Sequence, residues 1–507
     1  MFSKPGVTTW FIFLIIMRNL FVTCLVMAVV FMGVPASTPA QASLAAPASF
    51  IATLATSNKI GGQSSLGDAR DADIYPAVAF AAGRFLVVWL SVRNASGSTD
   101  GFDIYGVFIN ADGLPIGNGF RVSDSNTVAR NSTPAIATNG SEFVVAWASK
   151  LSTCQIYVQR ITDATTKSDR PLLTGATNLH SPSLAYNATS QKYSMAYVDG
   201  DDYLPPSFFG SSTSTCGNTS ASTSGIKALE FSMTGDVPTA STPITITDVS
   251  KGAFRPRITF SRSLNKHLIV WEDRRSAGAS AYRFDVYAQR LGSDLSKPDA
   301  NVVLDSGLDY TNLDTSATWT PRPVVTSGNN QFVTAWFRHQ VQDGASTWTL
   351  VSNRVPDAGA VLTPTAAAEM TFATGHSGQS PSGYAELVAV NAGNEFVMGF
   401  TSHQESVFGY LSSALVQRID ANGNLMEMNG KPQTEVGVGN SVDYQLDDQL
   451  NLGMAVNETG GLASVLVAYG KHAVQQHSRD FDVWSTRMQV LTKDLPLKTY
   501  TPVIGRS

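Results

Sequence analysis

Short runs of apolar residues, each preceded by a small or polar turn and closed by an aromatic, recur along the chain. They occupy residues 85–89, 143–147, 193–197, 267–271, 332–336, 396–400 and 465–469, ending on Trp89, Trp147, Tyr197, Trp271, Trp336, Phe400 and Tyr469. A short apolar run bounded by turn residues reads as a strand buried on both faces. The closing aromatics stand about 50 to 75 residues apart, a period that suits one four-stranded unit per copy. The flanking residues repeat too. Pro76, Pro134, Pro182, Pro256 and Pro323 each open an apolar stretch just before the aromatic-closing run, and proline is tolerated at the first residue of a strand, where no ladder bond is interrupted.

Third strands are marked by residues 102–105, 284–287 and 481–484, which share Phe-Asp-aliphatic-aromatic. Gln159-Arg160, Gln289-Arg290 and Gln417-Arg418 recur where such strands end, and the turns 111–113 and 421–423 supply Asp-Gly and Asn-Gly, the chemistry of tight hairpins. The expectation is an all-β chain: a β-propeller of about seven four-stranded blades, the sixth and seventh copies being the most diverged. Ring closure in such a fold uses a strand from the far end of the chain, and two segments compete for that place, residues 50–54 and 497–500.

Ahead of the repeats, Arg18, the apolar run 20–34 and Ala40-Gln41-Ala42 match the charged, hydrophobic and small-residue regions of a secretory signal. The reading is a signal peptide at 1–42, with Met17 as an alternative start, a linker and closure strand at 43–69, and the propeller at 70–507. Left uncleaved, the same segment is long enough to anchor the chain in a membrane. Removal of the signal leaves Cys154 and Cys216, an even pair in an oxidising compartment and the expected disulfide. Only 15% of residues are charged and the net charge is −5, a balance that suits a secreted or cell-surface protein and leaves no basic field for nucleic acid.

Candidate chemistry is sparse. His339, His403 and His472 each stand three residues after a closing aromatic. On consecutive blades they are too far apart to share one zinc, so with Arg274 they are ligand-binding candidates. Asp199, Asp201 and Asp202 cluster in the third copy and suit calcium, the one cofactor considered, if backbone carbonyls complete its shell; a solvated loop is the commoner explanation of such a cluster. The insertion at 199–225, rich in Ser, Thr and Gly, belongs on the face formed by second-to-third-strand loops, where binding usually resides. The string 272–275, Glu-Asp-Arg-Arg, answered by Asp285, reads as a hairpin-bracing network, as does Arg93 with Asp103. Hydrolase elbows, zinc-protease motifs and phosphate-binding glycine loops are missing from the sequence.

Together, 271–275 and 284–290 resemble the repeats of secreted bacterial β-propeller proteins. The resemblance implies an exported propeller and carries no assured activity. The expected role is non-catalytic binding of a glycan or a protein through the loop face, the alternative being a glycan-active hydrolase or lyase.

Overall fold

The computed structural model describes residues 51–53, 58–59, 72–92, 102–124, 130–150, 153–165, 169–173, 178–200, 224–247, 252–276, 283–309, 320–342, 345–356, 368–371, 379–406, 409–422, 427–428, 431–432, 439–443, 452–459, 463–472 and 481–490. The signal segment, the competing closure segment 497–500, Arg93, Asp201, Asp202 and Cys216 lie outside them.

Six blades are four-stranded antiparallel meanders, their strands consecutive in the chain in the first five, while in the sixth a short hairpin of 427–428 with 431–432 stands between the third and fourth. Blade one is Ala72–Ala81, Arg84–Val92, Phe102–Asn110 and Pro115–Arg121. Blade two is Ala135–Thr138, Phe143–Lys150, Cys154–Ile161 and Arg170–Pro171. Blade three is Leu179–Asn187, Lys192–Gly200, Ser224–Thr234 and Val237–Ala240. Blade four is Ala253–Ser261, Lys266–Asp273, Arg283–Gly292 and Val302–Asp309. Blade five is Val324–Gly328, Gln331–Gln342, Ala345–Pro356 and Ala368–Thr371. Blade six is Gln379–Val390, Glu395–Ser406, Gly409–Asp420 and Gly439–Asp443.

The last copy differs. Its own residues supply three strands, Leu452–Asn457, Ala463–His472 and Phe481–Val490. Onto the outer edge of the third pair Ile51–Thr53 and Asn58–Lys59. The expected count of about seven four-stranded blades is corrected accordingly: six are each built from one stretch of the chain, and the final ladder borrows its fourth strand from the N-terminal side. The physical reason is closure. The inner strand of this ladder lies against the inner strand of blade one, so tying both chain ends into one sheet prevents the ring from opening at its seam. The seam is tight: a Cβ on Gly453 would sit 2.5 Å from the Pro76 carbonyl oxygen, so only glycine fits there.

Each closing aromatic is buried to 1% exposure or less and packs against the preceding unit as well as within its own. Trp147 shares a cluster with Phe108 and Phe120 of blade one, and Trp271 shares one with Val198 and Ile226 of blade three. Trp336 meets Phe284 and Leu308 of blade four, and Trp89 meets Leu466 and Ala468 of the last ladder. Burying one such side chain is worth about 1.5–3 kcal/mol, so the repeated aromatic is the element that glues unit to unit around the ring.

The third-strand motif is explained by register. Its final aromatic lies directly across from the closing aromatic, Tyr105 opposite Trp89, Tyr287 opposite Trp271 and Trp484 opposite Tyr469, and the Trp271–Tyr287 rings stack at 5.9 Å. The motif's Asp reaches toward its own fourth strand: Asp103 accepts from Arg121 at 2.5 Å, and Asp285 accepts the Gly307 amide at 2.8 Å.

The prolines sit differently from expectation. In blades one, three and four the inner strand begins three or four residues before Pro76, Pro182 and Pro256, and the proline falls inside a register shift. At a bulge the ladder is already interrupted, so a residue without an N–H costs nothing there.

Candidate functional site

The bulge carries a second regularity. The residue before the proline has a left-handed backbone in four blades: Tyr75 at φ 57°, Ser181 at 50°, Arg255 at 49° and Arg322 at 43°. A non-glycine residue in that region costs on the order of 1 kcal/mol or more, and such strain collects where function needs a side chain aimed. The backbone device is constant while the side chain it carries is a tyrosine in blade one, a serine in blade three and an arginine in blades four and five.

Two residues further along is a ring of equivalent positions, each paired with the residue just before a closing aromatic. These are Ala77, Ala135, Ser183, Arg257, Val324, Glu386 and Gly453. Five are small or apolar; blades four and six break the pattern with an arginine and a glutamate. The Arg257 guanidinium stands 3.7 Å from the Glu386 carboxylate, the two side chains 41% and 29% exposed. Blade five stands between their strands in the chain, so the contact joins two blades that are not neighbours, across the central channel that the inner strands of a propeller surround. Burial pushes the Glu386 carboxyl above its ordinary value, an effect that Arg257 only partly offsets.

Above this ring sits a tightly built network. Glu272 is fully buried and accepts from Arg255 at 2.6 Å, from the Thr320 hydroxyl at 2.7 Å and from the Arg322 amide at 2.8 Å. It thereby fixes the segment leading into blade five, not the hairpin that the sequence reading assigned it to. Asp273, also fully buried, accepts from Arg275 Nη2 at 2.7 Å and from the Trp271 indole at 2.8 Å. Arg275 in turn touches Thr247 of the preceding connection at 3.3 Å and lies 4.0 Å over the Tyr287 ring. Asp285 does not close this network; its partner is the Gly307 amide. Arg274, a ligand-binding candidate from sequence, is half-buried, donates its amide to Gly252 at 2.9 Å and places its guanidinium 5.9 Å from the Phe284 ring.

His339, His403 and His472 lie on the second strands of three successive units, opposite Trp348, Ser412 and Phe481. The His339 side chain is buried. Asp199 is ion-paired with Lys227 across its own hairpin, and among the described residues no three acidic, histidine or cysteine groups stand together as a metal would need. Cys154 is disulfide-bonded and begins the third strand of blade two, at the loop face.

Sequence reasoning missed Arg257 and Glu386. A signal for the first was present: the residue after each strand proline is Ala77, Ala135, Ser183, Arg257 and Val324, and only one is charged. Glu386 follows no such proline, so its place in the ring emerges only from strand pairing.

No family model and no curated protein matches the chain. Among solved structures, it is similar to a protein of unknown function from Dyadobacter fermentans, at 11% identity over 71% of this chain and 95% of that one, with a TM-score of 0.39. An endosialidase of phage phi92 matches at 8% identity over 91% of this chain and 72% of the other, TM-score 0.42. An α-L-arabinofuranosidase from Lactobacillus brevis matches at 12% identity over 63% and 97% of the two chains, TM-score 0.37. At such identity and overlap these likenesses assign no activity.

Proposed function

We propose that this is an exported, non-catalytic propeller that binds a glycan or a protein at the loop-face mouth of its central channel. The observation that supports the reading is the repeated left-handed residue ahead of the inner-strand proline, Tyr75, Ser181, Arg255 and Arg322: one backbone solution, held against strain, carrying three kinds of side chain. That is the arrangement of a recognition rim, in which a rigid scaffold is reused and the contacts vary. Export rests on the signal-like segment 1–42, and a bond between Cys154 and Cys216 would lash the long 199–225 insertion of blade three to blade two.

A second reading, a glycan-active hydrolase, is favoured by Glu386, whose raised carboxyl has the character of a general acid. Glycoside hydrolysis needs a partner carboxylate. The buried Glu272 already serves three donors, which favours binding over catalysis.

Thermal melting of the full-length protein against a glycan panel, calcium and a chelator tests the proposal. A bound ligand at about 100 times its Kd adds about 2.7 kcal/mol, and a shift with a glycan that is recovered intact is the expected result. Release of cleaved sugar, abolished in Glu386→Gln, would overturn it in favour of the hydrolase.

A further inference from the structure

The channel ring holds the sharpest departure from the repeat. We propose that the channel binds a sugar bearing a carboxylate, with Arg257 as its anchor and Glu386 as the internal carboxylate that the ligand displaces. This rests on the ligand-binding reading above and names the class of ligand.

The argument starts from how the other arginines are held. Arg290 meets Asp299 at 2.5 Å, Arg255 meets Glu272 at 2.6 Å and Arg275 meets Asp273 at 2.7 Å, the lengths of charge-assisted hydrogen bonds. Arg257 and Glu386 stand at 3.7 Å, beyond hydrogen-bond range. The guanidinium therefore keeps its fork of N–H donors for a partner with better geometry, and a carboxylate arriving along the axis supplies one. Glu386 is in the converse position: it is partly desolvated, and its cation compensates that only in part. An occupant that takes Arg257 frees Glu386 to turn away.

Space and surroundings point the same way. At the equivalent positions of the neighbouring strands stand Ala77, Ala135, Ser183, Val324 and Gly453, so no bulky side chain at this level competes for the axis. Two residues before Arg257 in the repeat lie the rim positions, where Tyr75 and Ser181 are half-buried and offer an aromatic face and hydroxyls. Hydroxyl-bearing rings suit that rim, which is why the carboxylate is assigned to a sugar rather than to an acidic peptide.

The experiment is calorimetric titration of the full-length protein with an oligogalacturonate and with its methyl ester, the same sugar without the charge. The acid is expected to bind about tenfold or more tightly than the ester. Arg257→Ala should lose that margin while leaving any ester binding unchanged, and Glu386→Gln, which removes the internal competitor, should tighten the acid. Both variants must melt as the unmodified chain does. Equal affinity for acid and ester, or acid binding indifferent to Arg257→Ala, would overturn the proposal. So would Arg257-dependent binding of a glutamate-rich peptide with none of the sugar. If only a neutral glycan or a protein stabilises the chain, the carboxylate assignment falls and the binding role survives; if nothing in the panel does, both fall.

Discussion

Two sets of arginine–carboxylate contacts use the same repeat in opposite ways. On the face away from the second-to-third-strand loops, the recurring Gln-Arg pair does the same job each time. Arg160 meets Glu142 at 2.5 Å, Arg290 meets Asp299, and Arg418 meets Glu395, each a bond between a third strand and a neighbouring turn or strand of its own blade. Gln289 and Gln417 both turn back to the carbonyl of the following arginine at 2.8 Å. In the channel, the equivalent ring positions carry Arg257 and Glu386 once each, in blades that are not neighbours, at 3.7 Å. What recurs is structural, because every blade needs it; what breaks the repeat is free to serve one ligand.

The comparison makes graded predictions. The largest concerns Arg290 and Asp299, whose side chains are only 2% and 4% exposed. Removing one member strands a buried charge, so Asp299→Ala should cost about 3–5 kcal/mol in urea unfolding. A loss as small as that expected of an exposed pair, below about 1 kcal/mol, would deny the far-face contacts their structural rank.

An intermediate effect is expected at Asp169, wedged between blades one and two, where its carboxylate accepts the Asp124 amide at 2.8 Å. Burial is the main cause that pushes this carboxyl from 3.8 up to about 7. The folded chain then holds a proton that the unfolded chain has released, so stability falls as pH rises from about 4 to about 7. Asp169→Asn should remove this dependence and be more stable at pH 8 by on the order of 1–2 kcal/mol, reduced from the full shift because the group is partly solvated. Parallel melting curves for the two proteins across that range would contradict the assignment.

The smallest expected change is the most telling. Arg257→Ala should alter unfolding free energy by less than about 0.5 kcal/mol, since a half-exposed pair without a hydrogen bond contributes little. A loss comparable to that of Asp299→Ala would make the channel pair a structural bolt and erase the contrast.

Much of the architecture was legible. The seven closing aromatics, the Phe-Asp-aliphatic-aromatic strands and the Gln-Arg pairs are local patterns, and each recurs because the same contact must be made in each unit. The prolines were legible as markers of the inner strand but not as bulges, since the register shift around Pro76, Pro182 and Pro256 is a property of two paired strands. The histidines share a spacing from the closing aromatics, and strand pairing places them on three separate strands opposite Trp348, Ser412 and Phe481.

The amino-acid sequence by itself determined that the chain is all-β, that it repeats, and which residues cement one unit to the next. It did so because burial and pairing within a unit are short-range demands that leave a periodic imprint. Only the tertiary structure decided that residues 51–59 complete the last ladder, that Gly453 must pass against Pro76, and that Arg257 and Glu386, 129 residues apart, face each other across the channel. Those contacts join distant segments, and nothing local in either segment records the partner that ring closure brings to it.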